Sequence, residues 1–242
     1  MPRGTKGFKR VTTVDSLGAA ITESILSCSY VPGEWFREEE MAAEYGVSRH
    51  TLRAALAELV QQGLLHKEPF RGVFVPRLTE TDTNDLYRAR AVFELEAARV
   101  LAQRGTVGTA ALDALALFEN LKPESPWSRV VEADTAFHRA LIDELGSPRL
   151  STLYSNLLTE FKLCLLYSPI PNDYPVSVIA KHRALVESIT RGDPEEAVAR
   201  FRFHIEDSKR LLIARYATVT TTDNAKGYAG RSGAPSMPAP AG

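Results

Sequence analysis

Apolar residues recur at helical spacing in three stretches of the first third of the chain and almost continuously after residue 80. Leu17, Ala20, Ile21, Ser24, Ile25 and Leu26 predict a first helix, with Asp15 and Ser16 as its cap. Met41, Ala42 and Tyr45 give a short second helix an apolar face, and Arg37 to Glu40 precede it. Gly46 supplies the positive φ that ends this helix, and Val47 fills the corner that follows. Ser48 is the expected N-cap of a third helix whose buried stripe is Leu52, Leu56, Leu59 and Val60. Beyond Gly63, the runs 64–68 and 73–75 flank Pro69-Phe70-Arg71-Gly72, a pattern that predicts a β-hairpin with Arg71 and Gly72 at its tip.

From Glu80 onward the breaks fall at Gly105, Gly108, Pro123 to Pro126, Gly146 to Pro148, Ser168 to Pro175 and Gly192 to Pro194. They enclose about six helices, over 80–104, 107–121, 127–145, 148–167, 175–191 and 194–217, with no period-two alternation between them. The expected fold class is therefore an N-terminal winged helix-turn-helix (α+β) followed by an all-α antiparallel helical bundle. The expected division is a disordered basic arm over 1–12, the winged unit over 13–76 and a linker over 77–79. The helical domain then spans 80–217, and a Thr/Gly/Ala/Ser/Pro-rich tail over 218–242 cannot bury a core.

Composition narrows the setting. Hydrophobic residues make up 44% of 242, but no apolar run approaches the ~20 residues that cross a bilayer. The basic N-terminus has no apolar segment behind it, and Cys28 and Cys164 are too far apart in sequence for a metal-binding or redox CxxC pair. These features predict a cytoplasmic protein with no membrane association. The net charge of −1 looks unsuited to a polyanion partner until it is divided. Residues 1–77 carry ten Lys/Arg against nine Asp/Glu, and four of those cations lie in the N-terminal arm. Contacts to nucleic acid would depend on placement, amplified by dimerisation, rather than on bulk charge.

That placement is offered by the third helix. Arg49, His50 and Arg53 lie near its exposed N-terminal end, the part of a helix-turn-helix that enters the major groove. Arginine there reads guanine O6 and N7 with two hydrogen bonds, while Ser48 and Thr51 reach phosphates. Arg37 before the motif, and Arg71 and Gly72 in the wing, complete the candidate DNA-contacting set. An ordinary helical hairpin with a solvated charged face is the alternative, and the basic wing directly after the third helix argues against it.

Three of the five histidines fall in the helical part. Asp134 and His138 are one turn apart on one face, His182 begins the fifth predicted helix, and His204 lies within the sixth. Three imidazoles and a carboxylate suit a divalent first-row metal, but the spacing also fits ordinary surface pairs. Arg90 shares a face with Leu86, Phe93 and Ala97, so it points inward and needs an anion. Either Glu94, one turn on, or the carboxylate of a ligand would serve.

Taken together, Pro32-Gly33-Glu34, Glu39 to Ala42, Gly46-Val47-Ser48-Arg49, Leu52-Arg53, Gly63-Leu64 and residues 71–75 resemble the winged helix-turn-helix of GntR-type bacterial regulators. The helical part resembles the effector domain of the FadR group, the FCD domain, with Arg90 and Glu94 ahead of Asp134, His138, His182 and His204. The resemblance implies a homodimeric transcription regulator, usually a repressor, on a short palindromic operator. It implies that Asp134, His138, His182 and His204 hold a divalent metal (zinc first, nickel or manganese next). Metal and Arg90 would together bind a small carboxylate effector. A metal-sensing regulator and a metalloenzyme are the other readings; an enzyme leaves the wing and Arg49 and Arg53 unexplained. His50-Thr51, Ala54 and Ser147 depart from the usual family residues.

Overall fold

The computed structural model describes residues 13–122, 124–168 and 176–223, with side chains to residue 214. The chain divides into two compact units between Arg77 and Leu78.

The first unit contains α1 (Thr13–Leu26), α2 (Glu38–Glu44), α3 (Arg49–Gln61), β1 (His66–Glu68) and β2 (Gly72–Phe74). α1 already includes Thr13, so Asp15 and Ser16 stand in its first turn rather than before it. Leu17, Ile21 and Ile25 pack with Leu52, Leu56 and Leu59 of α3 in a core closed by Leu65, Val73 and Val75. Glu38, Glu39 and Glu40 form the first turn of α2 instead of preceding it, where three carboxylates favour the positive end of the helix dipole. Gly46 has φ +64, and the Val47 amide turns back to the Ala42 carbonyl, which closes α2 and sets up the corner. Ser48 then caps α3: its hydroxyl accepts from the Thr51 amide at 3.1 Å.

β1 and β2 pair antiparallel, His66 opposite Phe74 and Glu68 opposite Gly72. Gly72 is thus strand rather than tip, while Arg71 stands in the exposed turn with Pro69 and Phe70. The stretch expected only as a turn at 31–34 leads into a further extended segment along β2. There Gly33 donates to Val75, Val75 to Glu34 and Phe36 to Val73, at 2.7 to 3.0 Å. Gly33 has φ +86, and a Cβ added there would come within 2.3 Å of Arg77 Nε.

The second unit comprises, among the described residues, α4 (Glu80–Arg104), α5 (Thr109–Glu119), α6 (Trp127–Asp143), α7 (Pro148–Leu166), α8 (Val176–Thr190) and α9 (Pro194–Asp223). α4 opens with a capping box in which Thr79 and Asp82 satisfy each other's backbone amides. α9 continues to Asp223, so the tail expected from residue 218 begins as helix; residues 1–12 and 224–242 lie outside those described. One apolar cluster includes Leu101, Phe118, Phe137, Leu185 and Phe201, and a second includes Leu86, Tyr87, Tyr154, Phe161 and Ile205. No helix among the described residues is long and apolar enough to cross a membrane.

Candidate functional sites

Five helices, α4 and α6 to α9, carry one polar cluster into the interior of the second unit. Arg90 and Glu94 sit one turn apart on α4 and are each 1% exposed, an arrangement that requires their charges to neutralise each other. Arg90 Nε donates to Glu94 Oε1 at 2.6 Å, and the Tyr154 hydroxyl on α7 donates to the same oxygen at 2.6 Å. Burial alone would push the Glu94 carboxyl up, but Arg90 and His138 hold it well below the usual carboxylate range. The guanidinium lies 3.9 Å over Phe161 and 5.2 Å from the centre of Tyr87, so its faces are covered by rings. Its Nη2 has no hydrogen-bond partner. Of the two anions considered for Arg90, Glu94 therefore takes Nε and leaves Nη2 without a partner.

His138 on α6, His182 on α8 and His204 on α9 bring one ring nitrogen each within 4.8 Å of one another, all buried. Asp134, one turn before His138, places Oδ1 3.2 Å from His182 Nε2. The surrounding contacts fix the imidazoles. His182 Nδ1 donates to the Val178 carbonyl at 2.8 Å, which turns Nε2 toward the cluster, and Phe118 stacks on the ring at 4.4 Å. His138 Nδ1 lies 3.0 Å from Glu94 Oε2. Burial, and then the neighbouring His182 and His138, push His204 well below its usual range and keep it neutral, the form that binds metal.

The fit to a metal follows from what is left over. His138 Nε2, His182 Nε2, His204 Nδ1 and Asp134 Oδ2 are buried with no hydrogen-bond partner. The three imidazole nitrogens lie within 4.8 Å of one another, and orphaned acceptors packed so closely cost free energy unless a cation meets them. Three imidazoles suit zinc and its first-row neighbours, and Asp134, beside His182, is in reach as a carboxylate fourth. The residues present fit a divalent metal.

Beside this cluster is a cavity of about 80 Å³, lined by Arg90, Asp134, His182 and His204 within and by Lys181 and Ser208 farther out. Lys181 Nζ donates to Asp207 at 2.8 Å. Sequence reasoning missed Tyr154, Phe161 and Lys181. The first two belong to an apolar stripe of α7 that reads as plain core, and Lys181 is one charge among several on α8.

On the first unit, all four arginines of the candidate DNA-contacting set are held by carboxylates. Arg37 pairs with Glu40 at 3.0 Å, Arg53 with Glu38 at 2.6 Å and Arg71 with Glu68 at 2.7 Å; Arg49 pairs with Glu39. These arginine side chains are more than half exposed, so the pairs contribute little and phosphates or bases can replace the carboxylates. The hydroxyls of Ser48 and Thr51 lie 2.8 Å apart and complete the cap. Sequence reasoning missed Glu39 and Glu38 because they lie 10 and 15 residues before their partners Arg49 and Arg53.

Comparison with known proteins gives the frame for these sites. Residues 13–75 match the model of the bacterial regulatory proteins of the gntR family, and residues 85–207 match that of the FCD domain. The chain is 25% identical over 220 residues to the galactonate operon transcriptional repressor of Escherichia coli, covering 82% of this chain and 96% of that one. It is 25% identical over 166 residues to the gluconate operon transcriptional repressor of Bacillus licheniformis, covering 67% and 68%. In fold it is similar to a solved GntR transcriptional regulator of Rhodococcus sp. RHA1, with TM-score 0.75 and 24% identity, over 84% of this chain and 98% of that one.

Proposed function

The chain belongs to the GntR family of bacterial regulatory proteins and carries an FCD domain, and on that premise we propose that it is a cytoplasmic, homodimeric repressor. Its hold on a short palindromic operator is set by a small carboxylate. The observation that carries this reading is the unpartnered Nη2 of Arg90 on a cavity shared with His182 and His204. A buried guanidinium with an unpartnered nitrogen, in a residue that lines a cavity, suits a carboxylate.

In this reading Asp134, His138, His182 and His204 hold the metal, which supplies a Lewis-acidic site for one carboxylate oxygen. Arg90 donates to the other oxygen. Phe161 and Tyr87 keep the guanidinium in place and exclude water, which strengthens the pairing. Lys181 and Ser208 at the outer wall suit the hydroxyls of a hydroxy acid, the class to which the galactonate and gluconate of the relatives' names belong. The acid favours one of two dimer states, and each tenfold preference is worth ~1.4 kcal/mol. Exposed Val92 on α4 and Phe203 on α9, helices that pack on each other, offer apolar surface for the second copy.

Arg49 and Arg53 read base edges, while Arg37 and Arg71 contact backbone and wing positions. Reading of the metal itself is the second possibility, and the spare donor on Arg90 favours an acid over it.

The test uses the full chain. Duplexes are selected from a random pool, and the purified protein, its metal content known by elemental analysis, is titrated onto them with aldonic and other small hydroxy acids. An acid that shifts both melting temperature and DNA affinity is expected. If metal alone gives the whole response, the effector reading fails, and if no duplex is enriched, the operator reading fails.

A further inference from the structure

The wing tip holds a residue that its own fold penalises twice. Phe70 has φ +64, a left-handed conformation that disfavours every residue with a side chain except Asn and Asp. It is the third residue of the turn closed by the Arg71 amide on the Glu68 carbonyl at 3.2 Å, after Pro69. A turn with positive φ at that position calls for Gly or Asn. The ring is also wholly outside the protein, 108% exposed, so burial returns nothing. An aromatic ring held in a strained, solvent-facing position marks a contact made with something else.

What holds the ring out is rigid. Trp35 packs on Phe74 of β2 at 4.6 Å and pairs with it across an isolated bridge. The Arg71 guanidinium lies 4.4 Å over the Trp35 ring and 2.7 Å from Glu68. The tip therefore presents an apolar edge with an oriented cation beside it.

The geometry points to Phe70 as an apolar wedge that the wing drives into the DNA minor groove beside the operator's major-groove contacts. The inference rests on the operator-binding reading above. A groove about 6 Å wide excludes a helix but admits one side chain from a hairpin tip. Apolar side chains entering there part a base step and kink the duplex, most easily at flexible pyrimidine–purine steps. The cation of Arg71 sits where the phosphates of the narrowed groove would meet it. Phe70 would thus set sequence preference through deformability at positions that α3 does not touch.

The experiment compares full-length wild type with Phe70→Asn, which accepts the left-handed φ but removes the ring, and Phe70→Leu, which keeps an apolar wedge. The probe is the duplex that wild type enriches from a random pool. Phe70→Asn should melt a few degrees higher because the strain is relieved. It should nevertheless bind that duplex about tenfold or more weakly, the scale of losing one stacked or wedged contact. The bend measured by circularly permuted gel shift should fall with it, and reselection should lose the pyrimidine–purine preference at the outer positions. Phe70→Leu should keep most of the bend. Equal affinity and bend for Phe70→Asn and wild type overturn the wedge alone. Failure of wild type to enrich any duplex overturns the operator reading and the wedge with it.

Discussion

His138 Nδ1 lies 3.0 Å from Glu94 Oε2, and this approach joins the two halves of the buried centre. The other oxygen of the same carboxylate accepts from Arg90 and from Tyr154. One glutamate therefore faces an imidazole on one side and binds a guanidinium on the other. An anion drawn to Arg90 Nη2 acts on the group that fixes His138, so metal and acid affinities should be coupled and, by linkage, reciprocally so.

Glu94→Gln keeps the volume and removes the charge. It leaves Arg90 buried without a counter-ion, a loss of about 3–5 kcal/mol in urea unfolding. Metal affinity should fall about 10–100-fold in a chelator competition, because His138 loses the partner that orients it. A variant with wild-type metal affinity would show that the carboxylate acts on Arg90 alone.

Arg90→Met should be destabilised by a comparable amount, since Glu94 is then the buried charge without its main partner. The double change Arg90→Met with Glu94→Leu should recover most of that stability, as replacement of a buried pair by apolar residues commonly does. It should still fail to respond to any acid in thermal shift. Recovery of the acid response in the double variant would remove Arg90 from the ligand site.

His138→Ala and His204→Ala should each lower bound metal in elemental analysis. Chelation should lower the melting temperature of wild type: at a free metal concentration 100 times Kd, binding adds ~2.7 kcal/mol of stability. The two variants should be nearly indifferent to chelator. Undiminished metal in both would mean that the ion binds elsewhere.

On the candidate DNA-contacting surface, Arg53→Ala should abolish binding to the selected duplex while circular dichroism and native mass stay unchanged. Glu39→Ala should act in the opposite direction by freeing Arg49 from its carboxylate. Affinity for unrelated DNA should rise, and the slope of log K against log salt should steepen by about one for one further phosphate contact. An unchanged slope would show that the Arg49 pair does not restrain DNA binding.

The helices of both units were legible because each carries an apolar stripe wide enough to fix its buried face. Leu52, Leu56 and Leu59 place α3, and the Gly and Pro breaks separate α4 to α9 from one another, though none marks the end of α9 at Asp223. Arg90 on the same face as Leu86 and Ala97 already required an anion inside. The turn chemistry was legible less far. Asp15 and Ser16 look like a cap but stand inside α1, and Gly72 looks like a tip but pairs with Glu68. Local residue preference cannot choose between neighbouring registers when strand pairing elsewhere settles the count.

By itself the sequence determined the two fold classes, the order of the elements and a set of candidate residues for DNA, metal and acid, because periodicity and side-chain chemistry are local properties. Only the tertiary structure decided which of them meet. It brought His138, His182 and His204 from three helices to one point, tied Arg90 Nε to Glu94 while leaving Nη2 without a partner, and faced α3's arginines with the acids of α2. Those relationships depend on how helices pack across tens of residues. Packing is set by the summed fit of many side chains, and no short motif encodes that sum.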